Sequence, residues 1–346
     1  GNTEEGIVEL QQVVDLGQDL LQAEVMLVMG YLQREDFEKA VEAADKLAKK
    51  LPDNPVPHNL KGVALLQHRD RVEARASFEN AIRLNPEFTH AYLNLAQLEL
   101  SEGDVAAAKL QYLKVLKYDA GNLQALFPLA TLAEREGRPV EAEQWLKQAR
   151  NYHPEPMEPA VLLVELYERQ GDITQAMDLI EATVAIHPQD TRVLLTLARV
   201  QMLAGKEDEA ITTLRKLVEN VPDSPKAYIL LSMVQMKQQQ NEAARSSLEQ
   251  AVKLEPDSPV ARVMLAQLDI SARDYTKAFD VAQELRKSHP DAVYGDELAG
   301  DVYSAQREYQ QAADAYALAY DKERSAQLAK KLFKAHQKNG EHKAAL

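Results

Sequence analysis

The chain has 346 residues, of which 45% are hydrophobic and 27% are charged, and its formal net charge is −14 because Asp and Glu outnumber Lys and Arg. So acidic a chain is poorly suited to nucleic acid, whose phosphates are bound chiefly by clustered Lys and Arg. The lack of cysteine excludes disulfide scaffolds, thiolate metal sites and cysteine nucleophiles. No apolar run reaches the roughly 18–20 residues that a membrane-spanning helix requires.

A 34-residue period runs through the chain. Alanine recurs at nine positions spaced by 34 residues, and proline stands twelve residues after each of the first eight except at Ala120. The alanines are Ala40, Ala74, Ala108, Ala142, Ala176, Ala210, Ala244, Ala278 and Ala312. A fixed period of this length indicates an array of structural repeats rather than two globular domains.

The period divides residues 21–326 into nine repeats, in which positions are counted from the first residue of each. The repeats are 21–54, 55–88, 89–122, 123–156, 157–190, 191–224, 225–258, 259–292 and 293–326. Two stretches per repeat have apolar residues at i, i+3, i+4 and i+7, which predicts two amphipathic helices. Glycine at position 15 of four repeats predicts a left-handed residue that ends the first helix, and the prolines near position 32 end the second.

Half a repeat is predicted at each end of the sequence. Residues 1–20 take the place of the second helix of a truncated preceding repeat, and residues 327–346 that of the first helix of a truncated following repeat. Both carry apolar residues that intact neighbours would cover: Ile7, Val8, Leu10, Val13, Val14, Leu328, Leu332 and Phe333. We therefore expect end-to-end self-association.

Residue types suited to catalysis or metal binding are present but do not converge. His153, His187 and His289 share position 31, and equivalent positions in adjacent repeats are separated by on the order of 15–20 Å. Zinc ligands lie within about 2 Å of one ion, so these histidines do not share a metal. Sequence motifs of phosphate-binding loops, nucleophile elbows and zinc proteases are absent. We expect no catalytic residue, no metal site and no cofactor.

The repeat resembles the tetratricopeptide repeat. The resemblance rests on Leu near position 7, a small residue at position 8, Ala at position 20, an aromatic at position 24 and Pro at position 32. The aromatics at position 24 are Phe78, Tyr112 and Tyr316. The resemblance to this repeat covers about nine-tenths of the chain. It implies an all-α solenoid, a right-handed superhelix of antiparallel helix pairs, and a non-enzymatic role in binding other proteins.

The resemblance also implies where a partner binds. In tetratricopeptide arrays, positions 2, 5, 9, 12 and 13 of the first helix line a concave face that usually holds a peptide. Repeats 191–224, 225–258 and 259–292 combine apolar residues and flexible methionines at these positions. The predicted binding residues are Leu195, Arg199, Met202, Ile229, Met233, Met236, Lys237, Val263, Gln267 and Ile270.

Charge and packing lead to two interpretations of this face. Arg192, Arg199, Lys226 and Lys237 would form a basic rim that orients an acidic partner. In the alternative, positions 5 and 12 are partly buried between adjacent first helices and merely complete the core. Whether the groove holds peptide or polysaccharide is left open.

A narrower resemblance concerns segments 25–32, 50–55, 74–79 and 325–332, which are similar to the TPR-repeat lipoproteins (PrsT) of bacterial PEP-CTERM/exosortase systems. It implies a periplasmic or outer-membrane-associated scaffold in a system that links protein sorting to exopolysaccharide export. Two alternatives are a generic cytoplasmic or periplasmic adaptor of the same fold, and a regulatory module of an enzyme whose catalytic domain lies outside this sequence.

Overall fold

A computed structural model describes residues 21–340 together with Ile7 and Leu10. Residues 21–340 form 19 helices and no strand, and 80% of the described residues are helical, far above the globular average of about one-third. The predicted all-α repeat fold is confirmed.

The helices alternate along the chain as first and second members of each repeat. The first helices, and the helix that follows the ninth repeat, are α1 (Leu21–Gln33), α3 (Pro55–Gln67), α5 (Thr89–Glu102), α7 (Leu123–Arg135), α9 (Glu158–Gln170), α11 (Thr191–Leu203), α13 (Pro225–Lys237), α15 (Pro259–Ser271), α17 (Tyr294–Gln306) and α19 (Ala326–Lys338). The second helices are α2 (Phe37–Lys50), α4 (Arg71–Leu84), α6 (Val105–Tyr118), α8 (Pro139–Tyr152), α10 (Ile173–Ile186), α12 (Glu207–Asn220), α14 (Asn241–Leu254), α16 (Tyr275–Ser288) and α18 (Tyr309–Lys322). The chain forms two compact halves, Gly1–Leu166 and Tyr167–Leu346.

The turn inside each repeat has one backbone geometry throughout. Position 15 has a positive φ in all nine repeats: 60° at Glu35, 67° at Arg69, 83° at Gly103, 70° at Gly137, 77° at Gly171, 73° at Gly205, 60° at Gln239, 64° at Arg273 and 66° at Arg307. In five of the repeats an aspartate at position 16 then caps the second helix by accepting a hydrogen bond from a backbone N–H in its first turn. The turn therefore forms with or without glycine, although a side chain in the left-handed region is strained.

The two helices of each repeat cross at position 20. All nine alanines at this position are fully buried, because a methyl group allows a closer approach than the usual 8–10 Å between helix axes. The residues at positions 8 and 24 contact each other beside the crossing, and in most repeats a large one faces a small one. A Cβ atom on Gly62 would lie only 2.5 Å from Phe78 Cε1, whereas the first repeat pairs Val28 with the smaller Ala44, both fully buried.

Ion pairs connect consecutive repeats. Arg75, at position 21, donates two hydrogen bonds to the buried carboxylate of Glu99 at position 11 of the next repeat, with Nη2–Oε2 at 3.0 Å. Arg245 and Asp269 hold the same positions in a later pair of repeats, with Nη2–Oδ1 at 2.6 Å. The hydrogen bond with the Glu99 carboxylate raises the pKa of Arg75.

The last described helix departs from the 34-residue count. Leu328 and Ala335 of α19 are buried, and Ala335 packs with Tyr316 of α18. The expectation that Leu328 leaves open apolar surface is wrong, because α19 begins at Ala326 and turns this residue inward. Phe333, as expected, is 43% exposed.

The predicted half-repeats fall partly outside the described residues. Of residues 1–20, the structure describes Ile7 and Leu10, both helical, and Ile7 is buried with its Cγ1 atom against Gly30. The rest of the predicted 1–20 helix lies outside the described residues, as do residues 341–346.

We expect Ala176→Leu to lower the free energy of unfolding by about 1–3 kcal/mol, because it overpacks a helix crossing. Ala182→Leu is the matched control, since Ala182 lies on the same helix and is exposed. Thermal denaturation measures both, and an unchanged melting temperature in Ala176→Leu would contradict the described crossing.

A second prediction concerns position 15. Gly205→Ala should lower the free energy of unfolding by about 1–2 kcal/mol, because its φ of 73° strains any side chain and no atom beyond the adjacent residues lies within 4 Å of the added methyl. Gln239→Gly should raise it by about 0.5 kcal/mol, because relief of the left-handed strain exceeds the entropy lost by glycine. Urea denaturation separates the two, and shifts of the same sign would argue against a purely backbone effect.

Candidate protein-binding face

The predicted binding residues lie on α11, α13 and α15, whose N-terminal caps set their register. The Asp190 carboxylate accepts hydrogen bonds from the backbone N–H groups of Arg192 and Val193 at 2.8 and 3.0 Å, and the Ser224 hydroxyl accepts one from Ala227 at 3.4 Å. Pro259 occupies the first turn of α15, where its missing N–H costs no hydrogen bond. The three helices therefore begin at matching points of their repeats, and equivalent positions face the same way.

Positions 5 and 12 are half-buried between successive first helices. The pairs at these positions are Leu195 and Met202, Ile229 and Met236, and Val263 and Ile270. Each pair packs onto a core cluster that includes a buried leucine of the next first helix, namely Leu231, Leu268 or Leu298. These six residues complete the packing, as the alternative interpretation predicts, and offer a partner only part of their surface.

The surface open to a partner lies instead at positions 2, 9 and 13. Leu203 is 54% exposed, Met233 is 43% exposed and Val260 is 45% exposed, at positions 13, 9 and 2 of successive repeats. Gln267 at position 9 is also exposed. Sequence reasoning included Met233 and Gln267 but omitted Leu203 and Val260, although both occupy positions that line the concave face in the family.

Two of the four rim cations are already paired. Arg199 Nε lies 3.0 Å from a Glu168 oxygen, and Lys237 Nζ lies 2.5 Å from Glu207 Oε1. The hydrogen bond from Lys237 lowers the pKa of Glu207. Arg192 and Lys226, both at position 2, are exposed and have no ion pair within the part of the chain that the structure describes. The available positive charge therefore lies at the N-terminal ends of α11 and α13.

The first half of the chain contains a separate cleft of about 780 Å³ between α1 and α3. Met26 and Met29 are 58% and 53% exposed in it. Its lining consists of Ile7, Leu10, Met26, Met29, Gly30, Leu32, Gln33, Asn59, Leu60, Val63 and Gln67. No lining residue is charged, and the polar ones are the amides Gln33, Asn59 and Gln67, so the cleft is lined mainly by apolar residues. It was not among the predicted sites, because it depends on Ile7 and Leu10 meeting a later helix.

Buried titratable residues of the described segments include a carboxylate held by two cations. Within residues 21–340, together with Ile7 and Leu10, no three His, Asp or Glu side chains are grouped so as to hold a metal ion. The buried carboxylate of Asp296 accepts hydrogen bonds from Arg286 Nε at 2.7 Å and Lys322 Nζ at 2.6 Å. No helix of the described segments is both long and apolar enough to cross a bilayer.

Comparison with curated protein sequences finds no match. Among solved structures, human IFIT1, a dimer with PPP-AAAA, is 18% identical, with 100% of this chain and 93% of that chain covered at a TM-score of 0.50. A tetratricopeptide repeat protein from Parabacteroides merdae is 18% identical, with 72% and 98% covered at 0.47. YrrB, a TPR protein with an unusual peptide-binding site, is 21% identical, with 53% and 95% covered at 0.42. At such identities the likeness concerns the fold alone.

Sequence models of the tetratricopeptide repeat match most of the chain. One model matches residues 25–87, 59–116 and 93–156, and a second matches residues 167–234 and 235–299. The matched segments cover every predicted repeat except parts of the first, fifth and ninth. With the helix pairs, the buried alanines and the common turn geometry, these matches show that the chain belongs to the tetratricopeptide repeat family.

Proposed function

We propose that this protein is a non-catalytic scaffold that binds a protein or peptide on the first-helix face of repeats 191–224, 225–258 and 259–292. The fold itself is one that suggests protein–protein interaction. The observation that carries the proposal is the exposure of Leu203, Met233 and Val260 on three successive repeats. Exposed apolar side chains on successive repeats favour contact with a partner, because that contact removes apolar surface from water.

Charge defines the kind of partner. Arg192 and Lys226 lie at position 2, at the N-terminal ends of α11 and α13, where the helix dipole adds to their positive charge. A segment with apolar side chains and nearby carboxylates would match both the apolar surface and this rim. Met233 is unbranched and flexible, which suits a surface that accepts more than one apolar side chain.

The proposal extends to cellular context through sequence resemblance. Segments 25–32, 50–55 and 74–79 are similar to the TPR-repeat lipoproteins of exosortase systems, which supports a role in bacterial cell-envelope protein sorting and exopolysaccharide export. The proposed location is the periplasm or the outer membrane. Exposed Phe333 supports, in addition, self-association through the C-terminal end.

The binding site is tested with peptides selected from a random phage-displayed library against the whole chain. We expect Leu203→Glu combined with Met233→Glu to weaken the selected peptides at least tenfold, about 1.4 kcal/mol, because it places two carboxylates on an apolar contact surface. Both side chains are exposed, so the fold should persist. Thr212→Glu with Ser246→Glu, on second helices of the same repeats, is the matched control. Undiminished binding by the Leu203/Met233 variant would place the site elsewhere.

The cellular context is tested by fractionating source cells and detecting the protein with an antibody. We expect it with periplasmic or outer-membrane markers. Recovery with cytoplasmic markers alone would exclude the cell-envelope role and leave the generic adaptor, while the peptide-binding result would stand unchanged.

A further inference from the structure

The outer surface of three successive second helices carries a row of exposed apolar residues. Position 18 is Val72 on α4, Ala106 on α6 and Val140 on α8, and the two valines are 81% and 67% exposed. On the central helix, Leu110 and Leu113 at positions 22 and 25 are 59% and 38% exposed. We call these five residues the outer row. All lie in the compact half Gly1–Leu166.

The outer row is specific to these three repeats. In the other six, positions 18 and 22 are polar throughout: Glu38 and Glu42, Thr174 and Asp178, Asp208 and Thr212, Glu242 and Ser246, Thr276 and Asp280, and Gln310 and Asp314. Neither position contributes to the helix crossing, because the buried face of the second helix carries positions 20 and 24. Packing within the chain therefore does not explain the apolar residues of the outer row, whereas contact with another surface does.

Helix α6 has large and small residues side by side on its outer face. Leu110 and Leu113 project as knobs, while Ala106, one turn earlier, leaves a hollow. If a second α6 lies antiparallel across it, the leucines of each helix meet the alanine of the other. Packing of this kind is self-complementary, as a two-fold axis requires.

The charges along α6 would also be complementary between two antiparallel copies of the helix. The helix contains Lys109, Lys114 and Lys117 and no acidic residue. Lys109 is bonded to Glu141 at 2.7 Å, while Lys114 and Lys117 are exposed near its C-terminal end and have no carboxylate partner within the described residues. Asp104 caps the opposite end and is exposed. An antiparallel second copy would bring Asp104 of each helix toward the lysines of the other.

We propose that the outer row is a dimer interface and that its occupant is the outer row of a second copy of this chain, arranged about a two-fold axis with the α6 helices antiparallel. Equivalent positions of adjacent repeats are separated by on the order of 15–20 Å, so the row spans roughly 30–40 Å. That extent fits an interface which buries about 800 Å² on each partner. The dimer leaves the first-helix face of repeats 191–292 uninvolved and is independent of the proposed function.

Sedimentation velocity of the whole chain, from about 10 μM to 1 mM, tests the proposal. In a Phe333→Glu background, which removes the proposed C-terminal contact, we expect a reversible monomer–dimer equilibrium between 38.7 kDa and twice that mass. Leu110→Glu with Leu113→Glu should raise the dimer Kd at least tenfold, and Lys114→Glu with Lys117→Glu should also raise it, because like charges would then face Asp104 of the other copy. Val72→Glu with Val140→Glu is a second disruptive pair, on residues too exposed to affect folding.

Two controls separate this interface from other modes of association. Thr212→Glu with Arg215→Glu changes positions 22 and 25 of a repeat outside the row and should leave the dimer intact. Phe333→Glu should remove only the C-terminal contact proposed above and leave the outer-row dimer intact, whereas loss of all association in that variant alone would assign the dimer to the chain end. A monomer at every concentration, or a dimer that survives both the Leu110/Leu113 and the Val72/Val140 changes, would overturn the proposal.

Discussion

The close approach of two helices at position 20 is the constraint on which the array depends. Only a small side chain fits there, and alanine is fully buried there in all nine repeats. The neighbouring contact between positions 8 and 24 tolerates exchange of large and small partners, as Gly62 with Phe78 and Val28 with Ala44 show. The residue at the crossing is therefore the same in every repeat, whereas the residues at positions 8 and 24 vary as long as together they fill the space.

This crossing determines which side chains remain for function. With the second helix fixed against the first, positions 5 and 12 turn toward the next first helix and become half-buried, as Leu195 and Met202 do. In repeats 191–292, positions 2 and 13 of the first helices remain exposed, as do Met233 and Gln267 at position 9, and positions 18 and 22 of the second helices are exposed as well. Apolar residues are exposed at the first set in repeats 191–292, and at the second set in repeats 55–156.

The sequence predicted the helices well because their ends are encoded locally. Proline and position-15 glycine act within a few residues, and together with the apolar periodicity they predicted the two helices of each repeat. The left-handed turns at Gln239 and Arg307 carry no such signal, since neither residue is glycine and neither is followed by a capping aspartate. The sequence also does not predict that Arg199 pairs with Glu168 or that Leu328 is buried, since both depend on contacts with other helices.

Oxidation of methionine by hydrogen peroxide, followed by peptide mass spectrometry, tests the described register most directly, because methionines occur at exposed, half-buried and buried positions. The structure predicts fast oxidation of Met26, Met29 and Met233, which are 58%, 53% and 43% exposed, slower oxidation of half-buried Met202 and Met236, and strong protection of Met177, which is 8% exposed. Oxidation of Met177 as fast as that of Met233 in the folded protein would contradict the packing on which both proposed surfaces rest.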